Sequence, residues 1–231
     1  MRPLIQRRGP GRPKVQGLAE LRREQILAAA TEEFARRGFP NTDLQAVADR
    51  LDLGKGTVYR YFRTKEALFL AAVDRGMRLL TQNVNGAAAR AAEPLDRIIE
   101  ATHAYLEFFD EHPELVELFV QERAQFRDRS RPTYFAHRDA NLGPWKALLR
   151  SLMDDGKIRR MPVDRITDVF NAALYGAIFT NYFEGRRRRP DLQAREILDV
   201  ILGGILGPKA RRRKADFRGT LRVIRDRIRE G

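Results

Sequence analysis

A chain of 231 residues, 43% of them hydrophobic, is long enough to bury roughly 70% of its unfolded surface around a real core. Lys and Arg number 44 against 31 Asp and Glu, and the net charge of +13 sits at the ends: residues 1–16 carry +5, residues 208–231 carry +7, and the 191 between them only +1. That excess points to a polyanionic partner, nucleic acid or an acidic membrane surface, while the absence of cysteine excludes disulfides, iron–sulfur clusters, zinc–cysteine sites and thiol nucleophiles and fits a reducing, cytoplasmic setting.

Residues 1–17 combine basic side chains with Pro3, Gly9, Pro10, Gly11, Pro13 and Gly17, a composition that predicts a flexible basic arm. No apolar stretch of leader length occurs in the first 30 residues, so no secretory signal is expected. From Leu18 the texture changes. Ile26, Ala30 and Phe34 recur at helical spacing and Arg36 and Arg37 precede Gly38, predicting a helix over 18–37. A second helix is expected from Thr42, three residues before Gln45 in capping-box spacing, with Leu44, Val47, Ala48 and Leu51 as its apolar face. Asp52 falls where the chain must turn sharply, and Asp tolerates the left-handed conformation better than most residues. A third short helix follows at 55–62. Val58 and Phe62, four apart, must face inward, so Gly56, Thr57 and Arg60 face outward, flanked by Lys55, Tyr59 and Tyr61.

Further helices are predicted at 65–90, 94–111, 113–127, 133–155, 163–185 and 191–206, punctuated by Pro113, Pro132, Gly156, Pro162, Gly185, Pro190 and Gly207. The most apolar stretch, Val169 to Phe183, is broken by Asn171, Thr180 and Asn181 and falls short of the about 18–20 residues of a membrane span, so no membrane partner is expected. Nothing alternates with period two for long enough to be a strand, and the fold class is all-α. In the basic end, Phe217, Leu221, Ile224 and Ile228 keep helical spacing; a surface helix, a solvated tail and a second DNA contact are all open there.

Two short helices joined by a tight turn, the second presenting small, hydroxyl, basic and aromatic groups, have the geometry of a helix-turn-helix whose second helix enters the DNA major groove. Gly56 allows close backbone approach, Thr57 suits a thymine methyl or a base edge, and Arg60 suits guanine. Lys55, Tyr59, Tyr61 and Lys65 are placed to reach phosphates, and Thr42 heads a helix whose amino end attracts them. The ordered run Ile26-Leu27-Ala28-Ala29-Ala30, Phe34, Gly38, Thr42, Ala46-Val47-Ala48, Gly54-Lys55-Gly56-Thr57-Val58-Tyr59-Arg60-Tyr61-Phe62 and Lys65-Glu66-Ala67-Leu68 resembles the amino-terminal domain of the tetracycline-repressor (TetR) family over about residues 18–70. The resemblance implies a three-helix DNA-binding domain, a larger helical domain that dimerises through its last two main helices, and a small-molecule pocket that controls operator binding. Two positions depart from the family pattern. Asp52 stands where Gly is common, and Gly54 stands where Ser or Thr commonly caps the third helix.

The domain plan is a basic arm over 1–17, a helix-turn-helix domain over 18–66, an effector-binding and dimerisation domain over 67–207 and a basic tail over 208–231. In the arm, Arg7-Arg8-Gly9-Pro10-Gly11-Arg12-Pro13-Lys14 partly resembles an AT-hook, with Pro10 in place of its first arginine. Insertion of Arg8 and Arg12 into an A·T-rich minor groove and diffuse phosphate contact by a solvated tail are both open.

Residues 67–207 balance 20 basic against 20 acidic side chains, which suits regulation and pairing better than DNA coating. Small residues at Ala173, Gly176, Ala177 and Thr180 and the stripe Leu198, Ile201, Leu202 and Ile205 are the expected homodimer interface, with plain core packing as the alternative. Pocket residues are expected among His103, Arg123, Phe126, His137, Asn141, Trp145, Asn171 and Tyr175, polar groups few enough among apolar walls to suit a hydrophobic or amphipathic effector. No enzyme, cofactor or metal site is expected: Ser130 and Ser151 lie in no glycine-flanked elbow, and His103, His112 and His137 are not at paired metal-ligand spacing. The expected function is a ligand-released transcriptional regulator, more specifically a repressor, that binds an inverted-repeat operator in double-stranded DNA as a homodimer. An architectural DNA-binding protein without an effector is the alternative.

Overall fold

The computed structural model describes residues 17–185 and 188–205, and nine α-helices are the only regular elements of more than one residue among them. In chain order they are α1 (Leu18–Arg37), α2 (Leu44–Asp49), α3 (Lys55–Tyr61), α4 (Lys65–Arg90), α5 (Pro94–Glu111), α6 (Pro113–Gln125), α7 (Thr133–Asp154), α8 (Val163–Glu184) and α9 (Pro190–Ile205). The arm with Arg8 and Arg12, and the basic tail from residue 208, lie outside the described residues.

Helices α1 to α3 close around Ile26, Leu27, Ala30, Phe34, Leu44, Val47, Ala48 and Val58, each no more than 1% exposed. The turn between α2 and α3 is made by Asp52 at φ 52°, the one non-glycine residue with positive φ among the described residues, as the sharp turn requires. Helix α4 then runs 26 residues out of this bundle, started by Thr64, whose hydroxyl oxygen accepts from the Ala67 amide at 3.0 Å. Helix α5 is the hub of the larger part, with α4, α6, α7, α8 and α9 packed around it. Proline opens α5 and α6 at the first helical position, where its missing amide is not needed.

The start of α2 differs from expectation. Its cap is Asp43, whose carboxylate accepts from the Gln45 amide at 2.9 Å, and the helix begins at Leu44. Thr42 is 2% exposed and turns inward, its hydroxyl donating to the carbonyls of Gly38 at 2.8 Å and Glu33 at 3.3 Å. Local competition decides it: Thr42 finds carbonyl partners at the end of α1, leaving the adjacent Asp43 to meet the free amides. No helix among the described residues is long and apolar enough to cross a membrane.

Candidate DNA interface and interior cavity

Helix α3 lies on the surface with Val58 buried beneath it, and Phe62, 4% exposed, anchors the residue that follows. Gly56, Tyr59 and Arg60 are exposed, Tyr59 to 43%, whereas Lys55, Thr57 and Tyr61 are half-buried. The Arg60 guanidinium sits 5.8 Å above the Tyr61 ring, which orients it without using its hydrogen-bond donors. A side chain at Gly56 would meet open space, so the surface in front of it is clear for a backbone-close approach. The cap of α3 is Gly54 in an extended conformation, with no side chain to meet the first amides.

Lys55 pairs with Asp43 at 2.7 Å, tying the start of α3 to the start of α2. The Gln45 amide and the Lys55 ammonium together hold the Asp43 carboxyl below its usual range, and the same pairing raises Lys55. Lys65 is not turned toward solvent as expected. Its ammonium donates to the carbonyls of Pro40 and Thr42, both at 3.0 Å, and lies 4.8 Å above the Phe39 ring. With two of its three donors used, Lys65 fastens α4 to the loop before α2 and keeps one donor, while the Thr42 hydroxyl is buried.

Two buried polar groups that sequence reasoning missed hold the small bundle in place. Glu33, 1% exposed, pairs with Arg36 at 2.9 Å, Arg37 at 2.7 Å and Arg50 at 3.2 Å. Burial pushes its carboxyl up, but the hydrogen bonds from Arg36 and Arg50 and the nearby positive charges outweigh that and leave it below the usual value. Gln121 of α6 accepts from the Phe39 amide at 2.8 Å and donates to the Phe34 carbonyl at 2.9 Å, bridging the two parts of the molecule. Its donor group also reaches Glu117 at 2.8 Å, and Glu117 in turn accepts from the Tyr182 hydroxyl.

A cavity of about 170 Å³ opens between α4, α5, α7, α8 and α9. Its walls are mainly apolar, with Met77, Leu80, Ile98, Leu149, Phe170 and Leu174 prominent. His137, Asn141, Trp145 and Asn171 line it as expected. The Tyr105 and Tyr134 hydroxyls, also on its wall, share a hydrogen bond of 2.8 Å, and burial pushes Tyr105 far up and Tyr134 to about 12, so both stay neutral.

Four expected pocket residues lie elsewhere. His103 faces a separate polar groove between α4 and α5, 3.7 Å from Glu107, because the cavity face of α5 runs through Ile98, Ala101, Thr102 and Tyr105. Arg123 is exposed on α6. Phe126 packs against Phe39 at 5.0 Å and Phe69 at 5.5 Å, at the junction with the small bundle. Tyr175 stacks beside the cavity, 5.0 Å from Tyr134 and 4.5 Å from Phe179, without lining it.

Residues 26–72 match the family model of bacterial regulatory proteins of the tetR family. The HTH-type transcriptional regulator YhgD of Bacillus subtilis is 33% identical over 195 residues, 78% of this chain and 92% of that protein. The HTH-type transcriptional repressor KstR of Mycobacterium tuberculosis is 34% identical over 77 residues, 33% of this chain and 35% of its own. A solved TetR family transcription regulator of Marinobacter aquaeolei shares the fold with TM-score 0.66 at 16% identity, across 84% of this chain and all of that one.

The chain belongs to the tetR family of bacterial regulatory proteins. It is a DNA-binding transcriptional regulator of the helix-turn-helix type, and α2 and α3 are that element. In this TetR-family chain the last two described helices do not present the surface expected of them throughout. Leu198 and Leu202 are fully buried and Ile205 is 7% exposed, because this stripe of α9 packs onto α5, and Leu202 and Ile205 line the cavity. Ile201, Ala173 and Ala177 are half-buried. Of the expected residues Gly176 and Thr180 are exposed, and the outward faces also carry Val169, Ala172 and Phe183 of α8 and Val200, Gly203 and Gly204 of α9. Val200 is 77% exposed and Phe183 is 67% exposed, and no atom lies near a side chain built at Gly176, Gly203 or Gly204.

Proposed function

We propose that this regulator is a homodimeric repressor that sets α3 of each protomer into the major groove of one half of an inverted-repeat operator and lets go when a small molecule fills the interior cavity. The observation that carries this reading is the course of α4. Its first residue, Lys65, fastens the loop that leads into α2, and about four to five turns further on Leu80, Thr81 and Val84 form a wall of the cavity. A shift of α4 on filling the cavity therefore changes where α2 and α3 sit, and two half-sites about 34–36 Å apart tolerate little change in separation.

Within this proposal Arg60 reads a base, Thr57 and Gly56 face the base edges, and Lys55, Tyr59 and Tyr61 hold phosphates. Arg8 and Arg12 reach the flanking minor groove. Pairing uses the outward faces of α8 and α9, with Gly176 allowing a close approach of helices. A largely apolar cavity supports a small effector over a purely architectural role, and a cytoplasmic location and the lack of an enzymatic activity accompany the same reading.

Selection of bound duplexes from a random DNA pool at physiological salt tests it. Enrichment of an inverted repeat is expected. Salt-sensitive binding without any enriched sequence would overturn the repressor reading and leave a non-specific DNA binder.

A further inference from the structure

The polar groups on the cavity wall decide what it can hold. No Asp or Glu lines it among the described residues. Its two basic groups each already have a carboxylate partner. His137 Nε2 contacts Asp74 at 2.7 Å, and the Arg138 guanidinium is bound by Asp139 at 2.8 and 2.9 Å and lies 4.9 Å above the Phe135 ring. A ligand cation would find no counter-charge there, and a ligand anion would have to displace an existing ion pair; either ion would leave water for an apolar enclosure uncompensated.

Most neutral groups are spoken for as well. The Thr81, Thr102 and Thr167 hydroxyls donate to backbone carbonyls at 2.7–2.9 Å, and one of the two tyrosine hydroxyls donates to the other, which leaves a single tyrosine O–H free to donate. Besides that O–H and Asn85, which is exposed, three half-buried groups on the wall keep free capacity. Asn141 donates from Nδ2 to the His137 carbonyl at 2.8 Å, which leaves its oxygen as an acceptor. Asn171 and the indole N–H of Trp145 have no hydrogen-bond partner among the described residues. A side-chain amide offers two donors and an acceptor, and in an apolar wall it favours a molecule that meets them.

From this inventory we infer that the cavity takes an uncharged, mainly apolar molecule carrying one neutral group that both donates and accepts, such as a carboxamide, read by Asn171 together with Asn141 and Trp145. This rests on the reading of the cavity as the effector site. The volume of about 170 Å³ sets the size, since a cavity of about 150 Å³ accommodates benzene. One ring with a short substituent fits without opening the helices.

Trp145 is the only tryptophan of the chain, so its emission reports the cavity directly. The probes are benzamide, benzoate, benzylammonium and toluene, titrated into the protein bound to a selected duplex, with Trp145 emission and duplex anisotropy read together. The amide is expected to bind at least about tenfold more tightly than either ion at neutral pH, because each ion must first shed its charge or enter unpaired. In Asn171→Leu the amide should lose about five- to tenfold while toluene loses nothing. Asn171→Asp, a second variant that keeps the shape, should shift preference toward the ammonium probe. Equal binding of the three polar probes, tighter binding of the benzoate, or no saturable change of Trp145 emission with any probe would overturn the inference. The duplex signal separates it from the effector reading. Amide bound with the duplex retained overturns the effector role while the ligand class stands, and release by all bound probes without preference does the reverse.

Discussion

Lys65 and Glu33 are charged side chains whose work is internal. Lys65 closes the loop from Pro40 to Thr42, so Lys65→Ala is expected to destabilise the fold by about 1–2 kcal/mol through two lost charge-assisted hydrogen bonds. Thermal melting checks this; an unchanged midpoint with weakened DNA binding would return Lys65 to a phosphate role. Glu33 is held ionised by Arg36, Arg50 and Arg37 against its own burial, so its carboxyl lies below the unfolded value. A depressed carboxyl contributes stability that is present above the unfolded value, near pH 4.5, and is lost as pH falls through the folded one. Stability should therefore hold from neutral pH to about 5 and fall below it, and Glu33→Gln should be less stable at neutral pH with a shallower acid slope. An identical slope in that variant would remove Glu33 from the account. Neither role was legible in the sequence, because the partners of Lys65 are backbone carbonyls more than 20 residues away and those of Glu33 include Arg50 of the next element. Gln121 was hidden for the same reason, since it reads the backbone of Phe34 and Phe39, 87 and 82 residues distant. The exposure of Arg60, by contrast, was legible: on a seven-residue helix anchored by Val58 little other surface exists for it.

At the scale of elements, helix ends were read closely because Pro94, Pro113, Gly38 and Gly185 act locally, and local chemistry is what a sequence displays. The turn before α3 is strained at Asp52, with φ 52°, so Asp52→Gly is expected to stabilise the protein by about 0.5–1 kcal/mol. A lower denaturation midpoint would show that the Asp52 side chain contributes something the backbone argument omits. Gly76 in α4 is a point of close approach, because a Cβ there would lie 2.4 Å from Leu115 Cδ2 of α6. Gly76→Ala should then cost about 1–3 kcal/mol by overpacking the contact between these helices; a neutral result in denaturant unfolding would mean that Leu115 repacks freely. The stripe on α9 was misread because the helix is apolar on more than one side. Leu198, Leu202 and Ile205 turned to α5, and Val200 stayed outside. Periodicity marks a stripe, but it does not say whether the partner is the same chain or another one. His103 failed by a single step of about 100° around α5 from Thr102, which does line the cavity.

In the whole molecule, the helical part between two basic ends is near neutral, puts no acidic residue on the cavity wall among the described residues, and leaves one side of α8 with Val169 and Phe183 exposed, with Val200 of α9 exposed as well. If that side pairs two protomers, Val169→Glu with Val200→Glu should yield a folded monomer in sedimentation and lower operator affinity by more than tenfold, since each half-site alone supplies only part of the contacts. A double variant that stays dimeric would place the interface elsewhere. Selection from a random DNA pool under identical salt gives the base preferences of the wild-type protein and of Arg60→Ala, and the difference between them reports whether α3 reads bases. Reading by α3 in each protomer predicts that the variant keeps the inverted repeat but loses about 1–3 kcal/mol of discrimination at one base pair in each half-site, placed symmetrically. A uniform loss across all positions and all sequences, with the pattern of preferences unchanged, would contradict it.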